Sequence, residues 1–242
     1  MNKPVVLITG GSGTIGRAMA LEFGRSGYAV ALHYYSSPDK ARLAFDQLTS
    51  IGAPVQLFKA DIRNSAAVRK MVNAAVRKWG RLDVLVNNAG INRDNLLINL
   101  SDKEWRDVFS VNIDGAFYAT RAALPIMRKK RDGVILNIAS YVGDRGVRGA
   151  ANYAASKAAL VALTKCTAIE EGIYHIRANA LLPGFHVTDM NRDYFKRHEA
   201  AIRAPHLLGE LSSVDEFAKF IVHVAGLKTV TGQVLAFESR IR

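Results

Sequence analysis

Hydrophobic residues alternate along this chain between short apolar runs and longer stretches with helical periodicity. Val5–Ile8 and Val84–Val86 are apolar at every position, which is typical of strands buried on both faces of a sheet. We predict seven strands, over Pro4–Thr9, Tyr28–Tyr34, Val55–Lys59, Leu82–Asn87, Gly133–Ser140, Ile176–Leu182 and Gln233–Phe237. Between them the pattern predicts helices over Ile15–Ser26, Ala66–Trp79, Asp102–Met127, Tyr153–Glu171 and Ser213–Val224.

The alternation of strands and helices determines the expected fold class. Right-handed crossovers between successive strands give a parallel sheet with helices on both faces. Because no linker or repeat interrupts the pattern, we predict a single α/β domain over 1–242, Rossmann-type and doubly wound, with a seven-stranded, mainly parallel sheet. Residues 183–211 have weak periodicity and follow a strand's carboxyl end, so we expect a substrate lid there. Ser101–Glu104 predicts a capping box, and Ser212–Glu216 predicts similar capping.

Composition narrows the class of protein. The 242 residues are 49% hydrophobic, and no apolar run approaches the roughly 20 residues that a membrane span requires. Met1–Pro4 leads directly into the first strand without a secretory signal. The single cysteine, Cys166, cannot form an internal disulfide, and no cysteine cluster predicts a metal site. We expect a soluble cytoplasmic protein without a metal.

The net charge of +12 would attract nucleic acid, an acidic membrane surface, or an acidic or phosphorylated partner. Most basic residues are scattered, but Arg128–Arg131 form a run, which could equally be a solvated helix end. A second cluster comprises Arg192, Lys196, Arg197, His198 and Arg203. Because no recognition motif accompanies the charge, we do not expect nucleic-acid binding.

A glycine-rich turn follows the first strand and opens a helix. Glycine permits positive φ and lets a phosphate approach the backbone, and the helix N-terminus beyond favours a pyrophosphate. Such turns also occur without ligands, but the position in the first βα unit favours dinucleotide binding. The candidate cofactor residues of this turn are Gly10, Ser12, Gly13, Thr14, Ile15 and Gly16.

The end of the second strand bears on the choice of cofactor. An acidic residue there would bind the ribose hydroxyls of NAD, but Tyr35, Ser36 and Ser37 carry no carboxylate. Their hydroxyls, with a nearby cation from Arg17, Lys40 or Arg42, could bind a 2′-phosphate. Ser36–Pro38 could also cap the next helix, and the two roles are compatible. We therefore expect NADPH, with NADH less favoured.

Tyr153 and Lys157 are candidate catalytic residues at the start of a predicted helix. Their i, i+4 spacing places phenol and ammonium on one face. A free phenol has a pKa of about 10, and a neighbouring ammonium together with an oxidised nicotinamide would lower it. Ser140 ends the preceding strand, where its hydroxyl could polarise a carbonyl. A Tyr-x-x-x-Lys pair alone is common, so its weight comes from the accompanying glycine turn and serine.

Taken together, these motifs resemble the short-chain dehydrogenase/reductase family along nearly the whole chain. Asp61, Asn87–Gly90, Asn112 and Pro183–Gly184 match the family's order as well. Within the family, the 3-oxoacyl-[acyl-carrier-protein] reductases are most similar, through Gly90–Leu97, Ala151–Lys157 and Pro183–Met190.

The resemblance implies a role for each matching residue. Tyr153 would give a proton to the forming alkoxide, Ser140 would orient the carbonyl, and Lys157 would also bind the nicotinamide ribose. Asn112 would hold a water that extends the proton path from Lys157. The remaining implied cofactor contacts are Asp61 and Ile62 at the adenine, Asn88, Ala89 and Gly90 along the cofactor, Pro183 and Gly184 after the sixth strand, and Thr188 at the carboxamide.

The implied activity is NADPH-dependent reduction of a 3-oxoacyl thioester, carrier-bound, in fatty acid biosynthesis, by a homotetramer or dimer. Arg128–Arg131 match the region that docks the acidic acyl carrier protein in this family. The chain departs from the group at Gly13–Thr14, at Glu170–Glu171 and in its charged C-terminus, Phe237–Arg242. An acyl-CoA, polyketide, sugar, steroid or other small ketone therefore remains an alternative substrate, and a non-catalytic nucleotide sensor an alternative class.

Overall fold

Seven parallel strands form one sheet in the order β3-β2-β1-β4-β5-β6-β7. The computed structural model describes residues 3–188 and 191–240. The strands are β1 Val5–Ile8, β2 Ala29–Tyr34, β3 Val55–Lys59, β4 Val84–Asn87, β5 Gly133–Ile138, β6 Ile176–Leu182 and β7 Val234–Ala236. All seven predicted strands are confirmed, and the sheet is wholly parallel. Because β1 lies beside β4, the strand order reverses there, and ligands bind at the carboxyl ends of strands at such a reversal.

Helices cover both faces of the sheet. They are α1 Thr14–Arg25, α2 Pro38–Ser50, α3 Ser65–Trp79, α4 Asp102–Phe109, α5 Gly115–Lys130, α6 Val142–Arg145, α7 Ala151–Glu171, α8 Arg192–Arg203 and α9 Val214–Gly226. One core cluster packs α1, α2 and α9 on the sheet, and a second packs α3 and α5 on the other face. The doubly wound Rossmann-type architecture is therefore confirmed. Across the described ranges, no helix has both the length and the apolarity to cross a bilayer.

The predicted continuous helix Asp102–Met127 is wrong in its middle. A π-helical turn over Ser110–Asp114 separates α4 from α5 and turns the Asn112 side chain inward, where the residue is 1% exposed. Gly115 follows the turn, and a Cβ there would lie 2.6 Å from Ile62 Cγ1. The wider turn and the missing side chain let the helix pass close to the loop after β3.

Both predicted helix starts are capped by serine. Ser101 accepts from the Glu104 N–H at 3.2 Å, and the Glu104 carboxylate accepts from the Ser101 N–H at 2.8 Å, so the capping box is confirmed. Ser213 caps α9 by accepting from the Glu216 N–H at 3.3 Å. Ser213 thereby fixes the end of the segment that we predicted to be a lid.

Candidate active site

The glycine turn after β1 is shaped by two close backbone approaches. Gly10 has φ +64°, and a Cβ there would lie 2.9 Å from Ala89 Cα. A Cβ at Gly16 would lie 2.8 Å from Asn88 Nδ2. Gly13 is the N-cap of α1 and provides no capping side chain, so the first-turn N–H groups are suited to an anion. A cradle that leaves no room for a Cβ at Gly10 or Gly16 and ends in an uncapped helix N-terminus fits a dinucleotide pyrophosphate.

His33 holds the glycine turn in place through a hydrogen bond, a role that the sequence analysis missed. The Gly10 N–H donates to His33 Nδ1 at 3.0 Å, so His33 Nε2 carries the proton and donates to the Ala60 carbonyl at 3.0 Å. Burial lowers the pKa of His33 and keeps the ring neutral, as this pattern requires. The available signal was a histidine within the otherwise apolar run of β2.

The carboxyl end of β2 presents exposed hydroxyl groups and no carboxylate. Tyr35 and Ser36 are exposed, and Ser37 is the N-cap residue of α2 but makes no capping hydrogen bond with its side chain. Ser37 therefore occupies the N-cap position that the capping alternative predicted, but its side chain makes no capping hydrogen bond. Arg42 forms an ion pair with Asp46 at 3.0 Å. No ion pair engages Arg17 within the described part of the chain.

Asp61 and Ile62, the predicted adenine contacts, are largely engaged with the protein itself. Two parallel hydrogen bonds join the Asp61 carboxylate to Arg63, at 2.9 and 2.7 Å, and Arg63 lowers the pKa of that carboxyl. The same Arg63 guanidinium lies 5.8 Å from the Tyr35 ring centroid. The Ile62 side chain is buried against Gly115, which leaves its backbone as the part that can face a cofactor.

Asn88 joins the loops after β1 and β4. Its Nδ2 donates to the Thr9 and Gly10 carbonyls, each at 3.0 Å, and its backbone N–H donates to Thr9 Oγ1 at 2.9 Å. Ala89 and Gly90 continue this wall, and a Cβ on Gly90 would lie 3.6 Å from Lys157 Nζ. The predicted cofactor residues of both loops therefore lie along one edge that leads to Lys157.

Ser140, Tyr153 and Lys157 meet at the carboxyl end of β5, as the sequence predicted. The Ser140 hydroxyl lies within hydrogen-bonding reach of the Tyr153 phenol. Lys157 is 4% exposed, donates from Nζ to the Ile138 carbonyl at 2.7 Å, and lies 5.5 Å from the Tyr153 ring centroid. Ser140 Oγ also accepts from the Val142 N–H at 3.2 Å, which orients the hydroxyl.

Burial shifts the pKa values of this group in opposite directions. Burial raises the pKa of Tyr153, the hydrogen bond from Ser140 lowers it, and the Asp94 carboxylate raises it further. Burial lowers the pKa of Lys157 to about 8. In the polypeptide alone the pKa of the phenol is therefore raised, because loss of solvation outweighs the effect of Ser140. The predicted lowering by an oxidised nicotinamide together with the ammonium stays a prediction.

Asn112 connects the π-helical turn to α7, which carries Tyr153 and Lys157. Its Oδ1 accepts from the Ile91 N–H at 2.9 Å, and its Nδ2 donates to the Ile91 carbonyl at 3.0 Å and to Ser156 Oγ at 2.9 Å. Ser156 in turn donates to the Tyr153 carbonyl at 2.7 Å. The sequence analysis missed Ser156, although it lies within the quoted Tyr153–Lys157 motif. The water-binding role of Asn112 stays a prediction.

Asn152 fixes a second wall of the site. It is fully buried, and its Nδ2 donates to the Arg93 carbonyl at 2.9 Å while its Oδ1 accepts from the Tyr153 N–H at 2.7 Å. The Asn95 N–H donates to the Gly149 carbonyl at 2.8 Å. Residues 91–95, which contain Asp94, are thus held beside Tyr153.

Pro183, Gly184 and Thr188 follow β6 at the same edge of the sheet. Gly184 has φ +82°, and a Cβ there would lie 2.8 Å from the Phe237 carbonyl oxygen. The Thr188 N–H donates to Asn191 Oδ1 at 2.7 Å. Asp189 and Met190, part of the matching segment and of the predicted lid, lie outside the described residues. The lid over 183–211 contains α8 and remains a prediction.

Comparisons with known proteins identify the family. The family model described as short chain dehydrogenase matches residues 4–199. This chain belongs to the short-chain dehydrogenase family. It is 36% identical over 231 residues to the 3-oxoacyl-[acyl-carrier-protein] reductase FabG of Staphylococcus aureus strain Mu50, covering 95% of this chain and 94% of that protein. The protein of the same name from Thermotoga maritima is 37% identical over 238 residues, covering 97% and 96%.

A solved structure is similar over nearly the whole chain. An actinorhodin polyketide ketoreductase with NADPH superposes with a TM-score of 0.92 at 30% identity, covering 98% of this chain and 96% of that one. Family membership and these relatives establish an NAD(P)-dependent short-chain oxidoreductase, similar to 3-oxoacyl-[acyl-carrier-protein] reductases, that uses a nicotinamide cofactor.

Proposed function

We propose that this enzyme reduces the ketone of a 3-oxoacyl thioester with NADPH, with Tyr153 as the proton donor. The observation that carries the proposal is the meeting of the Ser140 hydroxyl and the Tyr153 phenol, within hydrogen-bonding reach, beside the buried Lys157 at the edge where the sheet order reverses. The names of the two bacterial relatives favour the acyl thioester among possible ketones.

Ser140 and Tyr153 have different roles in the proposed reduction. When bound, the nicotinamide supplies the hydride that reaches the carbonyl carbon. Ser140 donates a hydrogen bond to the carbonyl oxygen and stabilises the charge that develops there. Tyr153, kept protonated by its raised pKa, then donates its proton to the alkoxide oxygen. Because a general acid must begin protonated, the raised pKa suits the direction of reduction.

NADPH is the proposed cofactor because negative charge is scarce where a 2′-phosphate would bind. Ser36 and Ser37 offer hydroxyls there, and the nearby Asp61 carboxylate is paired with Arg63. Arg17, near the N-terminus of α1, is the cation best placed by sequence to complete such a site. The NADPH named with the polyketide ketoreductase is consistent with this choice.

We propose that only part of the basic run Arg128–Arg131 docks a carrier protein. Arg128 binds the buried Glu171 at 2.7 Å, and Lys130 forms an ion pair with Asp83. The Arg131 guanidinium donates to the Ile173 carbonyl at 2.8 Å. These contacts favour the structural role of a basic helix end and leave exposed Lys129 as the proposed carrier contact of the run. A homo-oligomer, dimer or tetramer, is proposed from family membership.

The test compares substrates and cofactors side by side. Purified enzyme is supplied with NADPH or NADH and with the same short 3-oxoacyl group on a carrier protein, on coenzyme A, or as a free ketone. We expect NADPH oxidation to be fastest with a thioester, and Tyr153→Phe to lower kcat by at least about 100-fold. Faster turnover of the free ketone than of either thioester would overturn the thioester as substrate, and Tyr153→Phe turnover equal to the parent's would overturn the mechanism.

A further inference from the structure

The C-terminal segment Phe237–Arg240, called here the strap, crosses the active-site edge of the sheet. The Phe237 N–H donates to the Leu182 carbonyl at 2.8 Å, and Ser212 Oγ donates to the Phe237 carbonyl at 2.8 Å. The Phe237 ring stacks on Phe220 of α9 at 5.2 Å between centroids. The strap therefore begins anchored beside the Pro183–Gly184 turn, after the last strand.

Beyond Phe237 the strap carries two charged side chains that pack against the protein. The Glu238 side chain is 0% exposed and forms an ion pair with Arg240, whose side chain is 14% exposed. The Arg240 guanidinium lies 3.9 Å from the centroid of the Tyr141 ring. A guanidinium held over a ring by a buried carboxylate has little freedom, so Arg240 restrains Tyr141, whose ring also lies 5.8 Å from the Arg145 guanidinium.

Tyr141 directly follows Ser140 and precedes α6, so its position bears on the catalytic serine. The Val142 N–H donates to Ser140 Oγ, which makes the serine rotamer depend on this turn. The turn also rests on the catalytic helix at Gly143, where a Cβ would lie 2.8 Å from the Ala158 nitrogen and 2.9 Å from Lys157 Cβ. A shift of Tyr141 would therefore move Ser140 relative to Lys157.

The strap also contacts the predicted lid. The Leu207 N–H donates to the Ser239 carbonyl at 3.4 Å. The strap thus contacts Ser212 through Phe237, residue 207 through Ser239, and the turn that carries Ser140 through Arg240. This arrangement makes the strap the direct connection between the lid segment and the catalytic serine.

From these contacts we infer that Arg240, held by Glu238, is a positioning residue that acts through Tyr141 to keep Ser140 aligned with the substrate carbonyl. The inference rests on the proposed function for its catalytic consequence. Its geometric part, the restraint of 140–146 by Arg240, does not depend on which ketone is reduced.

The test uses variants of both stacked residues in the full-length enzyme. Arg240→Leu and Tyr141→Leu each remove the stack, Tyr141→Phe keeps the ring, and Arg25→Leu removes an exposed ion pair with Glu22 on α1 as the matched control. Steady-state kinetics, NADPH affinity by fluorescence titration, and amide hydrogen exchange of 140–146 are measured on each.

We expect Arg240→Leu to lower kcat by about 10- to 100-fold, as for a misplaced catalytic group, with NADPH affinity unchanged. Exchange of 140–146 should rise in the same variant. Combining Arg240→Leu with Tyr141→Leu should be no worse than either alone. Tyr141→Phe, which keeps the ring, should retain more activity than Tyr141→Leu, and Arg25→Leu should match the parent. The inference would be overturned if Arg240→Leu left the amide exchange of 140–146 unchanged, or if its NADPH affinity fell as much as its kcat. It would also be overturned if the kcat of Tyr141→Phe were as low as that of Tyr141→Leu. A parent enzyme inactive on every 3-oxoacyl thioester would reject the proposed function alone, because exchange still tests the restraint.

Discussion

A substitution at Ser156 tests whether this residue aligns Tyr153 for catalysis or only stabilises the fold. Its hydroxyl accepts from Asn112 Nδ2 at 2.9 Å and donates to the Tyr153 carbonyl at 2.7 Å, in a fully buried position. Ser156→Ala leaves a buried amide N–H without this partner, which costs about 1–3 kcal/mol of unfolding free energy. At about 2–4 °C per kcal/mol for a chain of this size, Tm should fall by about 2–12 °C.

Activity should fall as well, because Ser156 links the catalytic helix to Asn112 near Tyr153. If Tyr153 shifts by a fraction of an ångström, kcat should fall by about tenfold or more, with little change in cofactor affinity. Thermal unfolding and steady-state kinetics at a temperature well below both transitions measure the two effects separately.

Thr164 offers a matched control two turns further along α7. Its hydroxyl also accepts from a buried asparagine, Asn137 Nδ2 at 2.7 Å, and donates to a helix carbonyl, that of Leu160 at 2.7 Å. Thr164→Val should therefore lose comparable stability and keep the parent kcat. If both variants lose stability and neither loses kcat, the alignment role of Ser156 is refuted.

Three further predictions concern the cofactor, the carrier and pH. Ser36→Asp should weaken NADPH binding about tenfold or more by repelling a 2′-phosphate and should spare NADH; equal weakening of both in paired titrations would contradict the proposed site. Lys129→Glu should raise KM for carrier-bound substrate about two- to fivefold at low salt, and high salt should remove the effect. A free thioester ketone should be unaffected, whereas Arg128→Glu, which faces the Glu171 carboxylate, should lower Tm instead. Because Lys157 is charged below its pKa of about 8, the reduction rate should fall as pH rises through that value; a rate independent of pH across this range would count against the ammonium.

The sequence predicted those parts of the fold and site that depend on neighbours along the chain. Strands buried on both faces appear as apolar runs, and parallel topology then brings Ser140 and Tyr153 to one edge. The π-helical turn at Asn112 was not predictable, because five residues within an apolar helical pattern cannot distinguish its wider period from that of an α-helix.

Contacts between distant positions were also beyond the sequence. Arg128 and Glu171 are 43 residues apart, so the basic run suggested a docking surface while its partner looked like an unrelated departure from the family. The same holds for the contact of Arg240 with Tyr141, since charged residues at a chain end show no preference for one distant ring. At both positions the charged side chain contacts a distant part of the same protein, which the sequence alone did not indicate.

The opposite pKa shifts of Tyr153 and Lys157 have a consequence for proton transfer in the proposed mechanism. Ordinarily a phenol and an ammonium have similar pKa values, near 10. Here burial raises the pKa of the phenol and lowers that of the ammonium to about 8, so Lys157 is the stronger acid of the two. Once Tyr153 has given its proton to the alkoxide, return of a proton from Lys157 to the phenolate is favourable. Burial therefore favours proton transfer from Lys157 through Tyr153 toward the substrate. The spacing of four residues along the helix does not reveal this effect.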